Sequence, residues 1–370
     1  MHIDLKGSGI AGFSIGMDPT GREHAVVVTK RRLSFPAETG GVCTWSDDVP
    51  VLCTADEFSG EEELSAVTFE SEFALRKPYC DVLVHGAAYA PGGVPTQMVY
   101  AGLICGTVSK TIAVFGPRMW QSYMLTTSPS EAAPFTRQMI SYDYAFGGAD
   151  RLNTAEKEPA MYPLNTVGMG WHQSKNSDIV DGAPMPFCED PHNLLKSPWD
   201  KVAPVSFGPL ARGAPDRAQY AGTYDQDWID NRFPHLPDDY DDRYAQSAPA
   251  DQQIRHPKGG EVIKLNNMMQ GHDGPFEMVL PKLDLPVVFA RRRGPDIPGT
   301  SVTDTIIIQP DLRIIDVVTR ASLPLQRDIL EMREAIIGKR GRGFWRARAL
   351  GKKYNPGLAG LGMDKEVPEL

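Results

Sequence analysis

No run of about 18 apolar residues occurs anywhere in the chain, so no membrane-spanning helix is expected. The opening residues, MHIDLKGSG, lack a basic stretch followed by an apolar one, and no signal peptide is expected there. Cys43, Cys53, Cys80, Cys105 and Cys188 form no C-x-x-C pair, and the histidines form neither H-x-x-x-H nor H-E-x-x-H. Zinc and redox centres are therefore not expected, no cofactor is implied, and a reducing, cytoplasmic setting is the simple reading. A basic excess is missing too: 38 Lys and Arg face 47 Asp and Glu, a formal net charge of −9. Phosphate backbones reward basic surfaces, so nucleic acid is not the expected partner. Alternating strand and helix patterns are also absent, which argues against a parallel α/β fold.

Turn-forming residues are abundant: 35 Gly and 31 Pro in 370 residues, with Pro well above its usual share of about 5%. The expectation is a mainly β protein of short elements. Its sheets are antiparallel and sandwich- or barrel-like, joined by long ordered loops, with a C-terminal helix. In MDPTGR (17–22), Asp18, Pro19 and Gly21 suit successive slots of a type I turn, so 13–17 and 23–30 are predicted as hairpin arms. Further strands are expected within 80–90, 98–116 and 286–292, and 304–320 reads as a hairpin turning at Gln309–Pro310–Asp311. Between 120 and 285 the chain is rich in Pro, Gly, Tyr and Trp with little periodicity, as in long functional loops. In 323–341, Leu325, Ile329, Met332 and Ile336 recur at helical spacing behind Pro324, and an amphipathic helix is predicted. The domain reading is then a single β-rich domain with long loops over 1–320, a C-terminal amphipathic helix over 321–342 and a basic tail over 343–370.

Two stretches invite catalytic readings. GSGIAGFSIG (7–16) contains G-x-G-x-x-G at Gly7, Gly9 and Gly12 and G-x-S-x-G around Ser14. Both motifs work only at a strand-to-helix turn, and here a Pro-containing hairpin turn follows, so neither reading is adopted. DQDWIDNRFPHLPDDYDDRY (225–244) gathers seven Asp around Trp228, Phe233 and Tyr240. It lacks the calcium-loop pattern, so metal is not assigned. The alternatives are a loop packing its own aromatics, an acidic partner surface, or a β-rich hydrolase using a carboxylate pair such as Asp238 and Asp239. The tail KRGRGFWRARALGKK (339–353) interleaves cations with Phe344 and Trp345. That pattern suits an anionic partner: RNA or DNA, though no recognised nucleic-acid module accompanies it, an acidic protein surface, or the 225–244 loop itself.

A longer series of motifs is recognisable. It runs RKPYCDVLVHGAAYAP (76–91), VSKTIAVFGPRMW (108–120), SPSEAAPFTRQMISYDYAFGG (128–148), LNTVGMG (164–170), SFGPL (206–210), AGTYDQDWIDNRFPHLPDDYDDRY (221–244), SAPADQQ (247–253), KGGEVIKLNNM (258–268) and FEMVLP (276–281). In order and spacing this series resembles the bacterial family catalogued as domain of unknown function 2169. The resemblance implies a non-catalytic adaptor or chaperone of type VI secretion. Such an adaptor binds a PAAR-tipped effector and helps load it onto its VgrG spike. The family carries no established catalytic residues, so none is assigned here. One departure stands at Gly116–Pro117–Arg118, where the family has Gly-Asp-Arg. Aromatic and Arg side chains dominate binding hot spots, which makes Arg118, Trp120, Tyr224, Trp228, Asp239 and Trp345 the candidate partner-binding residues.

Overall fold

The computed structural model describes residues 2–3, 9–124, 126–152, 158–173 and 177–354. In chain order the main strands are Gly9–Met17 (β1), Glu23–Ser34 (β2), Cys80–Val84 (β3), Gly86–Tyr89 (β4), Met98–Cys105 (β5) and Val108–Phe115 (β6). They continue with Val262–Asn266 (β7), Pro275–Val279 (β8), Val287–Arg291 (β9), Ser301–Gln309 (β10), Ile314–Pro324 (β11) and Met332–Ile337 (β12).

The β-branched run of β2 is the spine. It pairs antiparallel with β1 on one side, from Gly9↔Arg31 to Met17↔Glu23, and with β11 on the other. Both expected hairpins form, β1–β2 around Asp18–Arg22 and β10–β11 around a 3₁₀ turn at Pro310–Leu312. Asp18 makes the first turn by accepting from the N–H groups of Thr20 and Arg22. The resulting seven-stranded sheet has the order Gln253–Ile254, β3, β10, β11, β2, β1, with Thr44–Trp45 added to β2. Only β3 and β10 run parallel within it. A six-stranded sheet has the order Cys188–Glu189, β6, β5, β7, β8, Gly41–Val42. A four-stranded sheet has the order His2–Ile3, β12, β9, Ile297–Gly299. None of these sheets closes into a barrel, so of the two expected forms the sandwich is the one found.

Period-2 alternation decides which sheet packs on which. Val82, Val84, Ile306, Ile308, Ile315, Val317 and Leu33 face Leu103, Ile112, Val114, Leu265, Phe276 and Met278 of the six-stranded sheet. Each such side chain contributes about 1.5–3 kcal/mol on burial. Further along the same face, Ala25, Val27 and Ala321 pack on Val287, Phe289, Ala335 and Ile337 of the small sheet.

The opposite face of the seven-stranded sheet is mixed and also covered: Val26, Val28 and Val318 pack on Leu52, Phe73 and Leu75, and buried ion pairs lie beside them. Lys30 pairs with Glu72 at 2.7 Å, Lys77 with Asp81 at 2.7 Å, Arg32 with Asp316 at 2.7 Å and Arg320 with Asp304 at 2.6 Å. Asp304 reaches Arg320 because the β10–β11 register shifts between Thr303 and Thr305. Irregular chain lies over these pairs, and Arg320 Nη1 donates to the carbonyls of Glu72 and Ala74 within it. Close approach of the same cover explains two glycines of β1. A Cβ on Gly12 would sit 2.6 Å from Leu52 and 2.7 Å from Phe73, and one on Gly16 3.0 Å from Leu75.

The helix expected over 323–341 is not there. Residues 314–324 are strand, Ile329–Glu331 is a single 3₁₀ turn, and Met332–Ile337 is β12. The physical signal is Ala335–Ile336–Ile337. Ala335 and Ile337 enter the core against β2 and β11, while Ile336 is buried on the other face beneath Phe344. Consecutive residues buried on opposite faces mark a strand covered on both sides, and this outweighs the helical spacing of the apolar residues before them. The C-terminal helix is instead Arg342–Ala349, inside the stretch expected to be tail. It does not lie on the 225–244 loop. Phe344 packs on Ala290 and Ile336, and Arg348 pairs with Asp296 and Glu334. The tail beyond Tyr354 lies outside the described residues.

Arg320→Met should lower unfolding free energy by about 3–5 kcal/mol, because it strands the fully buried Asp304 carboxylate. Adding Asp304→Leu should restore much of that loss. Urea unfolding followed by circular dichroism checks both, and equal stability of single variant and wild type would show the pair to be dispensable.

Candidate interaction surface

The six candidate residues divide by exposure. Trp120 has no exposed area, and its Nε1 donates to Gly170 O at 2.8 Å in a cluster with Phe146, Tyr162 and Met185. Arg118 is buried over the Phe115 ring, donates to Pro186 O and pairs with Glu189. Both are packed into the interior, Trp120 with no exposed area and Arg118 with little, so neither presents a surface to a docking partner. Trp345 is half-buried beside Phe344 at the small sheet. Tyr224, Trp228 and Asp239 belong to one exposed knob.

That knob is built locally. Asp225 caps the short helix Gln226–Asn231 by accepting from Trp228 N at 2.9 Å. Trp228 Nε1 donates to His235 O at 2.9 Å, which closes the loop on itself. Tyr224 and Phe233 pack edge-on against Trp228, with ring centroids 4.8 and 5.6 Å away. Their outer surfaces are free: Tyr224 is 53% exposed, Ile229 54% and Phe233 67%. Asp239 accepts from Thr223 N and Oγ1 at 2.9 and 2.7 Å, which holds its carboxyl below the usual carboxylate range. The loop-packing reading and the exposed-surface reading of 225–244 thus describe its inner and outer sides.

Arg232 ties the knob to the β1–β2 turn by donating to Pro19 O, and the His235 ring lies 3.2 Å from Met17 Sδ. β1 therefore runs up to the knob. Its residues Phe13, Ile15 and Met17 share one exposed face. Beside them a groove of about 390 Å³ is lined by Phe13, Phe289, Ile329, Leu330 and Met332, together with Glu334 and the exposed Arg292 and Arg333. No candidate residue was drawn from this strand, although the uncharged alternation F-S-I-G-M is visible in the sequence.

The catalytic possibilities gain no assembled set. Ser14 sits mid-strand opposite Val26, and Gly7 lies outside the described residues. Asp238 pairs with Arg232 while Asp239 is held by Thr223, so different partners engage the two carboxylates. A cleft of about 740 Å³ is lined in part by His172, whose Nδ1 lies 3.2 Å from Asp150. Its described lining supplies no Ser or Cys, and its one threonine, Thr166, makes no hydrogen bond to that pair. All five cysteines are buried and unpaired, and burial raises their pKa, that of Cys105 to about 12, away from thiolate chemistry. Among the described residues no three His, Cys, Asp or Glu side chains converge as a metal site.

Trp120→Ala should cost about 3–5 kcal/mol of stability, whereas Tyr224→Ala should change it by no more than about 0.5 kcal/mol. Denaturant unfolding of the two variants separates core from surface. Comparison with curated proteins found no match, and comparison with solved structures found none. Residues 20–320 match the family described as an uncharacterized protein conserved in bacteria (DUF2169), and the chain belongs to that family.

Proposed function

We propose that this protein is a non-catalytic, cytoplasmic adaptor that binds a PAAR-tipped type VI secretion effector and aids its loading onto the VgrG spike. The chain belongs to the family, and the role proposed here comes from what the motif resemblance implies. The observation that carries the reading is the knob in which Tyr224, Ile229 and Phe233 lie exposed around the half-buried Trp228, with nothing covering their outer surfaces among the described residues. Solvent-facing aromatics on a preorganised loop are the usual anchors of protein recognition. The carboxylates of Asp225, Asp227, Asp230 and Asp239 around it make no ion pair among the described residues, so a basic, apolar partner surface is the complement.

Co-expression with the effector and VgrG from the same locus should yield a co-purifying complex and more soluble effector. The double variant Tyr224→Ala, Phe233→Ala should fold normally and weaken the complex by about 30-fold or more, as loss of a hot spot does. An effector that folds, loads and is secreted equally well without this protein would end the adaptor reading.

A further inference from the structure

We propose that the outer edge of β1 is a strand-pairing site, which takes up an extended apolar segment of a partner protein as the next strand of the seven-stranded sheet. The adaptor reading supplies only the partner's identity; the site itself is argued from the strand.

The ladder parity fixes which main-chain groups are free. Asp18 N donates to Arg22 O, so 18↔22 is a hydrogen-bonded pair, as are 16↔24 and 14↔26. The N–H and C=O groups of Ala11, Phe13, Ile15 and Met17 therefore point away from β2. Among the described residues no backbone or side-chain hydrogen bond reaches them. A strand in that position is a template for another chain, and proteins normally blunt it with short length, charge, proline or a bulge. The other ends of the three large sheets follow that rule. They are Gln253–Ile254, Cys188–Glu189, Gly41–Val42 and His2–Ile3, each of two residues, and Ile297–Gly299, which contains Pro298. β1 breaks it. It is nine residues long, carries no charge and no proline, and pairs with β2 without a register shift.

The side chains specify the occupant further. Phe13 at 41%, Ile15 at 50% and Met17 at 36% exposure line one face of the edge. The groove next to Phe13 has room for one large apolar side chain of an added strand. In its lining Arg292 has no carboxylate partner among the described residues. Arg333 reaches only Glu334, at 3.8 Å, and that carboxylate already binds Arg348. The matching segment thus alternates apolar residues and sets an acidic residue two positions from the large one, on the same face. A second copy of β1 does not fit this description, since Gly9–Met17 contains no carboxylate.

The test uses the full chain and two probes. One is the co-purified effector. The other is a ten-residue synthetic peptide alternating valine and threonine, with one phenylalanine in a valine position and an aspartate two residues from it. Amide exchange read residue by residue should show Ala11, Phe13 and Ile15 slowed at least tenfold by either probe. Ile15→Pro removes an outward donor and spares the β1–β2 ladder, and it should weaken both probes at least tenfold. Ile15→Lys, a natural form of edge protection, should do the same if the proline variant melts early. Unchanged exchange at these amides with both probes overturns the site. If an effector complex forms all the same, the adaptor reading survives without it. If the effector does not bind but the peptide is protected, the adaptor reading fails and the edge stands. Sedimentation showing a dimer that Ile15→Pro converts to monomer would assign the edge to self-pairing and overturn the partner assignment.

Discussion

The fold depends on how its irregular chain is satisfied. A sheet buried on both faces normally has helices or another sheet on each side. Here one face of the seven-stranded sheet is covered by loop, and buried loop carries main-chain groups with no ladder to join. Arginines and carboxylates supply what the ladder does not. Arg320 donates to Glu72 O and Ala74 O, Arg217 to Leu210 O and Tyr244 O, Arg31 to Leu283 O and Arg118 to Pro186 O. In return Glu72 accepts from Cys53 N, Asp143 from Ala66 N, Asp81 from Ser247 N and Glu189 from Leu195 N. A guanidinium suits this role because its fork of donors bridges carbonyls and a carboxylate at once. The ion pairs beneath the loops are therefore less a source of net stability than a way of fixing one loop conformation.

That arrangement bears on recognition. A loop pinned at several main-chain positions loses little freedom when a partner arrives, so more of the contact energy appears as affinity. The 220–242 knob has this character. Its aromatic centre is locked by Asp225, His235 O and Arg232, and only its outer rings meet solvent. The loop is thus a projection hydrogen-bonded to itself and to the first hairpin, next to a strand edge.

The hairpins were legible because two independent signals agreed in each. Val26–Val28 and Ile306–Ile308 carry β-branched runs, and Asp18–Gly21 and Pro310–Asp311 carry turn chemistry. Where only one signal was available the reading failed. Leu325, Ile329, Met332 and Ile336 match a helical stripe by spacing alone, but their side chains enter different packing layers. The sandwich order was not legible, since pairing β3 parallel to β10 joins residues more than 200 positions apart. Trp120 and Trp228 are the same residue type in equally loop-like sequence, yet one is core and the other surface. Burial of an aromatic in irregular chain depends on which distant carbonyl its N–H meets, Gly170 or His235.

The glycine-rich start of the chain carries the same lesson in a sharper form. Gly12 and Gly16 fit two catalytic motifs, but steric need accounts for them: Leu52, Phe73 and Leu75 press on that face of β1. Glycine is depleted in strands because it packs nothing and costs backbone entropy. A strand that accepts this cost on its covered face, keeps Phe13, Ile15 and Met17 on the other, and forgoes charge along its open edge is poorly built as the end of a sheet. As an interior strand awaiting a neighbour it is well built, with both faces defined and a continuous, unbulged ladder to extend. Composition alone does not separate these two descriptions. The distinction arises only when the sheet order places β1 last, and this is why its significance lay beyond any reading of the sequence by motifs.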